Sequence, residues 1–199
     1  MRLLPVFSLS LLCIISSATP GGAQTTDAAT WPEFTLPWNV PGDGALDISF
    51  LLDPPAGNKG FLKSEDGILK FEDGSRAKFW GVNLVAASAF PTAEQSKTIA
   101  ERLAKAGCNL VRLHHMDAPW HARPIIDYSR SDSQHLDTEN LDRLDHLVAE
   151  LKARGIYIHL DLLVHRLFKN GDDVTDANLL GNGPKNITYT NRRLIELQK

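Results

Sequence analysis

The sequence predicts an α/β fold built on a parallel sheet, and two observations carry that reading. From Lys78 onward, short apolar runs alternate with stretches of helical periodicity, and each helical stretch closes on a glycine before the next apolar run. That alternation is the mark of βαβ units. The second observation is the stretch Gly107-Cys108-Asn109-Leu110-Val111-Arg112-Leu113-His114-His115-Met116-Asp117, which begins apolar and ends in a guanidinium, two imidazoles and a carboxylate. A buried strand whose carboxyl-terminal tip opens into a polar site has this composition, and chemistry in parallel α/β proteins collects at those tips.

Taken in order, residues 1–23 are expected to be a secretory signal peptide. Arg2 supplies the positive start, Leu3 to Ile15 an apolar run too short to span a bilayer, and Gly21-Gly22-Ala23 small residues for cleavage. Pro5 and the small-residue tail argue against a buried N-terminal helix, and Leu12 before Cys13 argues against a lipid anchor. The expected location is therefore secreted or periplasmic, with no membrane attachment once the signal is removed. Cys108 is then the one cysteine left, so no intrachain disulfide is expected despite export. At the start of an apolar strand it reads as a small buried hydrophobe rather than a nucleophile.

Residues 24–77 are rich in Pro, Gly and Trp. Trp31-Pro32, Leu36-Pro37-Trp38 and Pro41-Gly42-Asp43-Gly44 are chain punctuation. Leu46 to Leu52 is a candidate short strand. Ile68 to Phe71, the turn Glu72-Asp73-Gly74-Ser75, and Ala77 to Leu84 read as a hairpin. This segment is expected to cap the bottom of the domain that follows, with its tryptophans packing rather than serving as sugar platforms.

Residues 78–199 carry three strand–helix units. The first strand is Phe79 to Leu84. Thr92-Ala93-Glu94-Gln95 is a capping box opening a helix through Ile99, Leu103 and Ala106, which Gly107 ends. Asn109 to Leu113 is the second strand. Asp137 or Thr138 caps a second helix with Leu141, Leu144, Val148 and Leu151 on one stripe, and Gly155 closes it. Ile156 to Val164 is the third strand, and Thr190 or Asn191 starts a last helix. A fourth strand is expected next, so the chain reads as a truncated form of a larger barrel, since eight βα units need about 250 residues.

Side chains alternate along a strand. Arg112 and His114 fall on one face of the second strand, with Val111 and Leu113 on the other. Asn83 and Asp161 fall on the polar faces of the first and third strands, opposite Trp80, Val82 and Leu84 and opposite Ile158, Leu160 and Leu162. Asn83, Arg112, His114 and Asp161 should therefore converge near the strand ends. The plainer alternative is that these residues satisfy one another in a core, for instance as an Arg112–Asp161 pair. A metal site is disfavoured, because adjacent His114 and His115 should face apart and no H-x-H, H-E-x-x-H or C-x-x-C occurs. No cofactor is expected. The chain is 43% hydrophobic and 23% charged with a net charge of −3, which gives no reason to expect nucleic acid as a partner.

At these residues the chain resembles the retaining glycosidases of glycoside hydrolase family 5 and its clan, of the endoglucanase and mannanase type. Phe79-Trp80-Gly81-Val82-Asn83 resembles the first barrel strand. Gly107 to His115 resembles the second, whose arginine in that clan contacts the nucleophile carboxylate. Leu141-Asp142-Arg143-Leu144-Asp145 through Gly155-Ile156-Tyr157-Ile158-His159-Leu160-Asp161 resembles the next helix and third strand, and Arg193 to Lys199 the helix before the fourth. The resemblance implies the N-terminal part of a (β/α)8 barrel, incomplete and preceded by a short β-rich cap. It also implies an oligo- or polysaccharide substrate. Its candidate substrate-binding set here is Asn83, Arg112, His114, His115, Asp117, Trp120, Asp161 and His165. The family usually has a histidine where this chain has Leu163, and His165 is expected to stand in for it from the loop. The two glutamates of a retaining mechanism, about 5 Å apart, come in the family from the fourth and seventh strands. No catalytic residue is therefore assigned here, and Glu139, Glu150 and Glu196 fall on predicted helices. The other classes that fit are a non-catalytic carbohydrate-binding or structural remnant and a metal-dependent barrel hydrolase.

Overall fold

The computed structural model describes residues 46–180 and 187–199. The expected signal peptide, Trp31 and Trp38 lie outside the described residues. The first element pair is an antiparallel hairpin, β1 (Leu62–Glu65) with β2 (Ile68–Phe71). Its turn is Asp66-Gly67, both with positive φ, the two-residue turn whose twist matches paired strands. The hairpin thus lies one strand earlier than the sequence reading placed it. The Glu72–Ser75 turn does form, with Gly74 N donating to Phe71 O at 3.0 Å. Only a single bridge, Lys70 to Arg76, follows it, because the chain beyond leaves to join a different sheet. Leu46 to Leu52 is likewise not a strand. Among the described residues it has no strand partner, and it forms a 3-10 turn at Ser49–Leu51.

Three parallel strands make the main sheet, in the order β3 (Gly81–Val85), β4 (Leu110–His114), β5 (Tyr157–Leu160). The connections carry α1 (Ala93–Lys105) and α2 (Thr138–Ala153). Thr92 caps α1 reciprocally: Gln95 N donates to Thr92 Oγ1 at 3.2 Å and Thr92 N to Gln95 Oε1 at 2.9 Å. Asp137 caps α2 through Asn140 N at 2.8 Å. Both helices end on glycines in the left-handed region, Gly107 (φ 71°) and Gly155 (φ 81°). A short α3 (Arg192–Glu196) starts at Asn191, whose side chain accepts from Leu194 N.

The core lies between β4 and the two helices. Val111 and Leu113, both fully buried, pack with Ala100, Ala104, Leu144, Leu147, Leu151 and Ile156. Each large aliphatic side chain so buried contributes about 1.5–3 kcal/mol. Cys108 is buried as well, and burial pushes its thiol pKa up, away from nucleophilic chemistry. The cover thins toward the sheet edges. Leu84 and Ile158 pack on the core, but Trp80 (71%), Leu160 (44%) and Leu162 (81%) are exposed. The apolar faces expected to be covered along the full length of β3 and β5 are covered only where α1 and α2 reach.

The segment before the hairpin runs beneath this sheet. Ile48 N donates to Lys105 O, Ala56 N to Lys152 O and Gly57 N to the Tyr157 hydroxyl. Phe71 of the hairpin stacks on Tyr157 with centroids 5.5 Å apart, and Phe79 packs edge-on to both. These contacts sit at the amino ends of β4 and β5, which leaves the carboxyl ends to the segments 115–137 and 161–180.

Candidate functional site

Register sets the first row of the site. Asn83, Arg112 and His159 are direct neighbours across β3, β4 and β5. One step further, Asp161 N donates to Leu113 O at 3.2 Å, which carries the carboxylate just past the end of β5. Asp161 Oδ2 then receives Arg112 Nη2 at 2.7 Å and His114 Nδ1 at 2.5 Å, while His159 Nε2 lies 3.3 Å from Oδ1. Burial raises the Asp161 pKa, but the hydrogen bonds from His114 and Arg112 outweigh it, and the net shift is downward. Asp161 is therefore an ionised anchor. To bond it, His114 must carry its hydrogen on Nδ1. The Arg112–Asp161 pair of the plainer alternative does form. It is not a core pair, since the Arg112 side chain is 43% exposed.

His114 and His115 do not face apart as strand alternation predicted. Their ring centroids are 4.0 Å apart. The strand ends at His114, and His115 takes φ 57°, so the alternation rule stops one residue too early for it. His115 then packs edge-on to Trp120 at 5.4 Å and near His165 at 5.9 Å, and Trp120 meets His165 at 6.4 Å. The structure thus gathers the sequence candidates into two touching groups. One is Arg112, His114 and Asp161. The other is His115, half-exposed Trp120 and His165. Asn83 is exposed beside Arg112 and makes no hydrogen bond within either group among the described residues.

Asp117 has a different place. It is 4% exposed, and its carboxylate accepts Val164 N at 2.7 Å and His165 N at 2.9 Å. It ties the loop after β5 to the loop after β4 and so fixes where His165 stands. Tyr128 reinforces that junction, donating its hydroxyl to Asp117 O at 2.6 Å and accepting from Leu167 N at 3.0 Å. Further along, buried Asp172 accepts Ser133 N and Oγ and Lys169 N. The sequence reading missed Tyr128, Asp172 and His121. His121 touches His115 O at 3.0 Å, and burial lowers its pKa against the raising effect of nearby backbone. Isolated polar residues in long loops carry no periodicity that would single them out.

A cleft of about 510 Å³ opens beside these groups, with Arg112, His114, Asp161, Leu162, Arg166 and Tyr189 among its lining residues. Arg112 donors, the His114 ring and the exposed Leu162 and Tyr189 suit a hydroxylated, partly apolar ligand. Trp120 does not line this cleft and adjoins it through His115. Every described glutamate lies elsewhere: Glu65 and Glu72 in the hairpin region, Glu94 and Glu101 on α1, Glu139 and Glu150 on α2, Glu196 on α3. Among the described residues, no group of three or more His, Cys, Asp or Glu could hold a metal ion, and no helix is long and apolar enough to cross a membrane.

No protein-family model matches the chain, and no curated protein matches it. Among solved structures, the chain is similar to a glycoside hydrolase family 5 protein from Bacteroides vulgatus ATCC 8482, at 18% identity and a TM-score of 0.42, over 55% of this chain and 26% of that one. It is also similar to a beta-glucanase from Saccharophagus degradans in complex with cellotetraose, at 24% identity and a TM-score of 0.37, over 63% of this chain and 33% of that one. The chain thus spans no more than a third of the length of these structures.

Proposed function

We propose that the chain is the N-terminal part of an exported retaining glycosidase barrel of the family 5 type, whose Arg112, His114, Asp161, Trp120 and His165 bind and orient a saccharide. The observation that carries the reading is the Arg112–His114–Asp161 cluster at the carboxyl ends of a parallel sheet, set beside an exposed tryptophan. The cluster supplies fixed donors and an acceptor for ring hydroxyls, and the indole supplies an apolar plate for a sugar face. In a retaining mechanism these residues position substrate while two carboxylates elsewhere do the bond chemistry. Asp117 contributes by holding the loop that bears His165.

Titration of the chain with cello- and manno-oligosaccharides, followed by calorimetry and tryptophan fluorescence, tests this. Saturable binding that Trp120→Ala and Arg112→Ala each weaken is expected, with no turnover of aryl glycosides, since no described glutamate stands at a strand tip. Failure of every oligosaccharide to bind, or binding that ignores both substitutions, would remove the saccharide reading.

A further inference from the structure

Arg112 and Asp161 neutralise one another in the cleft, but a second guanidinium lining it, that of Arg166, has no carboxylate in contact among the described residues. Its three hydrogen bonds go to neutral oxygens: Ser133 Oγ at 2.9 Å, Ser133 O at 2.7 Å and Leu197 O at 3.0 Å. Asp172, Asp117 and Asp132 act on it only from beyond ion-pair distance, Asp172 most strongly. Asp172 is also linked to it through the Ser133 hydroxyl, which lies 2.8 Å from Asp172 Oδ2 and takes the Arg166 Nε hydrogen. A guanidinium carries five N–H donors, so among the described residues one on Nη1 and one on Nη2 are left over. One face of the group lies against the buried Phe168 ring, 5.1 Å from guanidinium carbon to centroid.

These contacts make Arg166 unlike an ordinary surface cation. Ser133, Leu197 and Phe168 fix its plane before any ligand arrives, so little side-chain entropy remains to be lost. It is half-buried, so its charge is less screened than at a free surface. Two unspent donors on a fixed, planar cation in a cleft suit a planar anion, and a carboxylate is the group whose geometry matches. We propose that Arg166 is a specificity-determining residue for an anionic substituent, and that the saccharide taken by this cleft bears a carboxylate, as a uronic acid unit does. The inference rests on the reading of the cleft as a saccharide site. A sulfate ester offers the same charge with tetrahedral oxygens and is the competing source of the anion.

The test compares three oligosaccharides of equal length and linkage with the whole chain by calorimetry: a neutral glucose oligomer, its glucuronate counterpart and its sulfate ester. The uronate should bind at least about tenfold more tightly than the neutral oligomer, as charge-assisted hydrogen bonds allow, and raised salt should narrow that gap. Arg166→Gln should erase most of the preference and Arg166→Lys should keep part of it, with melting temperature read alongside. If Arg166→Gln does not fold, the ratio for the unaltered chain and its salt dependence still decide. Equal binding of uronate and neutral oligomers overturns the anionic subsite while leaving the saccharide reading standing. Tighter binding of the sulfate ester than of the uronate overturns the carboxylate assignment. Binding of none of the three, with manno-oligosaccharides failing to bind as well, removes both readings together.

Discussion

His114 Nδ1 and Asp161 Oδ2 lie 2.5 Å apart across the β4–β5 junction, and Arg112 Nη2 reaches the same oxygen at 2.7 Å. Two donors on one oxygen hold the Asp161 carboxylate below its ordinary value of 3.8, against the opposing effect of burial. A depressed folded-state pKa stabilises the native state above the unfolded value and loses that stabilisation as pH falls through the folded one. Stability should therefore fall below about pH 4 in the unaltered chain, and Asp161→Asn should flatten that limb. At neutral pH the substitution should cost about 1 kcal/mol rather than the larger figure for a buried pair, because Arg112 is half-exposed. Denaturant titrations across that pH range would show it, and an unchanged acid limb in Asp161→Asn would mean that the cluster contributes nothing to folding.

Asp117 receives two backbone N–H groups, from Val164 and His165, at a position 4% exposed. Asp117→Asn keeps one acceptor and buries an amide with fewer partners, so a loss of about 1–3 kcal/mol is expected. The effect should be local first. Amide exchange at Val164 and His165 should accelerate more than at Val111 in the core. Uniform acceleration across the chain would show that Asp117 acts on global stability and not on this loop.

The glycines that end α1 and α2 carry the same left-handed backbone but meet different neighbours. A Cβ on Gly155 would lie 3.0 Å from the Asp53 carbonyl carbon, which is backbone, whereas on Gly107 it would lie 2.6 Å from Ile48 Cδ1, the end of a side chain. Both Ala substitutions pay the left-handed cost of about 1–2 kcal/mol. Gly155→Ala should cost more than that, because the 47–57 segment must shift. Gly107→Ala should be partly rescued by Ile48→Ala, measured as a double-mutant cycle by thermal unfolding. Equal costs with no rescue would show that backbone angle alone decides at both sites.

What could be read from the sequence follows from what periodicity encodes. The three parallel strands, both helices and the caps at Thr92 and Asp137 were legible, because each is fixed by residues within a few positions of one another. Arg112 and Asp161 were placed on their faces by alternation alone. Alternation failed at His115, where the strand stops, and along Trp80 and Leu160, where the helices do not reach. The hairpin lies at Asp66-Gly67 instead of Glu72–Ser75 because the chain after Ser75 leaves to join the parallel sheet, which local turn residues do not encode. Arg166, Ser133 and Asp172 were invisible, because loop-to-loop hydrogen bonds between residues 33 and 39 positions apart leave no local pattern.

Tyr128 offers the sharpest check on how those loops are joined. Its hydroxyl sits between Asp117 O and Leu167 N, and burial, ahead of smaller effects, pushes its pKa up to about 12 from an ordinary 10.0. A raised folded-state pKa leaves stability intact below the unfolded value and removes it as pH rises through the folded one. The chain should therefore lose on the order of 2 kcal/mol between about pH 10 and pH 12. Tyr128→Phe cannot ionise there, so it should lack this contribution to the alkaline loss. At neutral pH the same substitution deletes a donor and an acceptor at once, and a cost of about 1–2 kcal/mol is expected. Tyr128 and Asp117 grip the same two loops, one through the Asp117 carbonyl and the other through its carboxylate. Once either is lost, the junction is already loosened and the second has less to hold. The Tyr128→Phe, Asp117→Asn double variant should therefore lose less than the two single costs added, by about 0.5 kcal/mol or more. Strict additivity would mean that the two contacts are independent, and that the loop carrying His165 is not clamped as one unit.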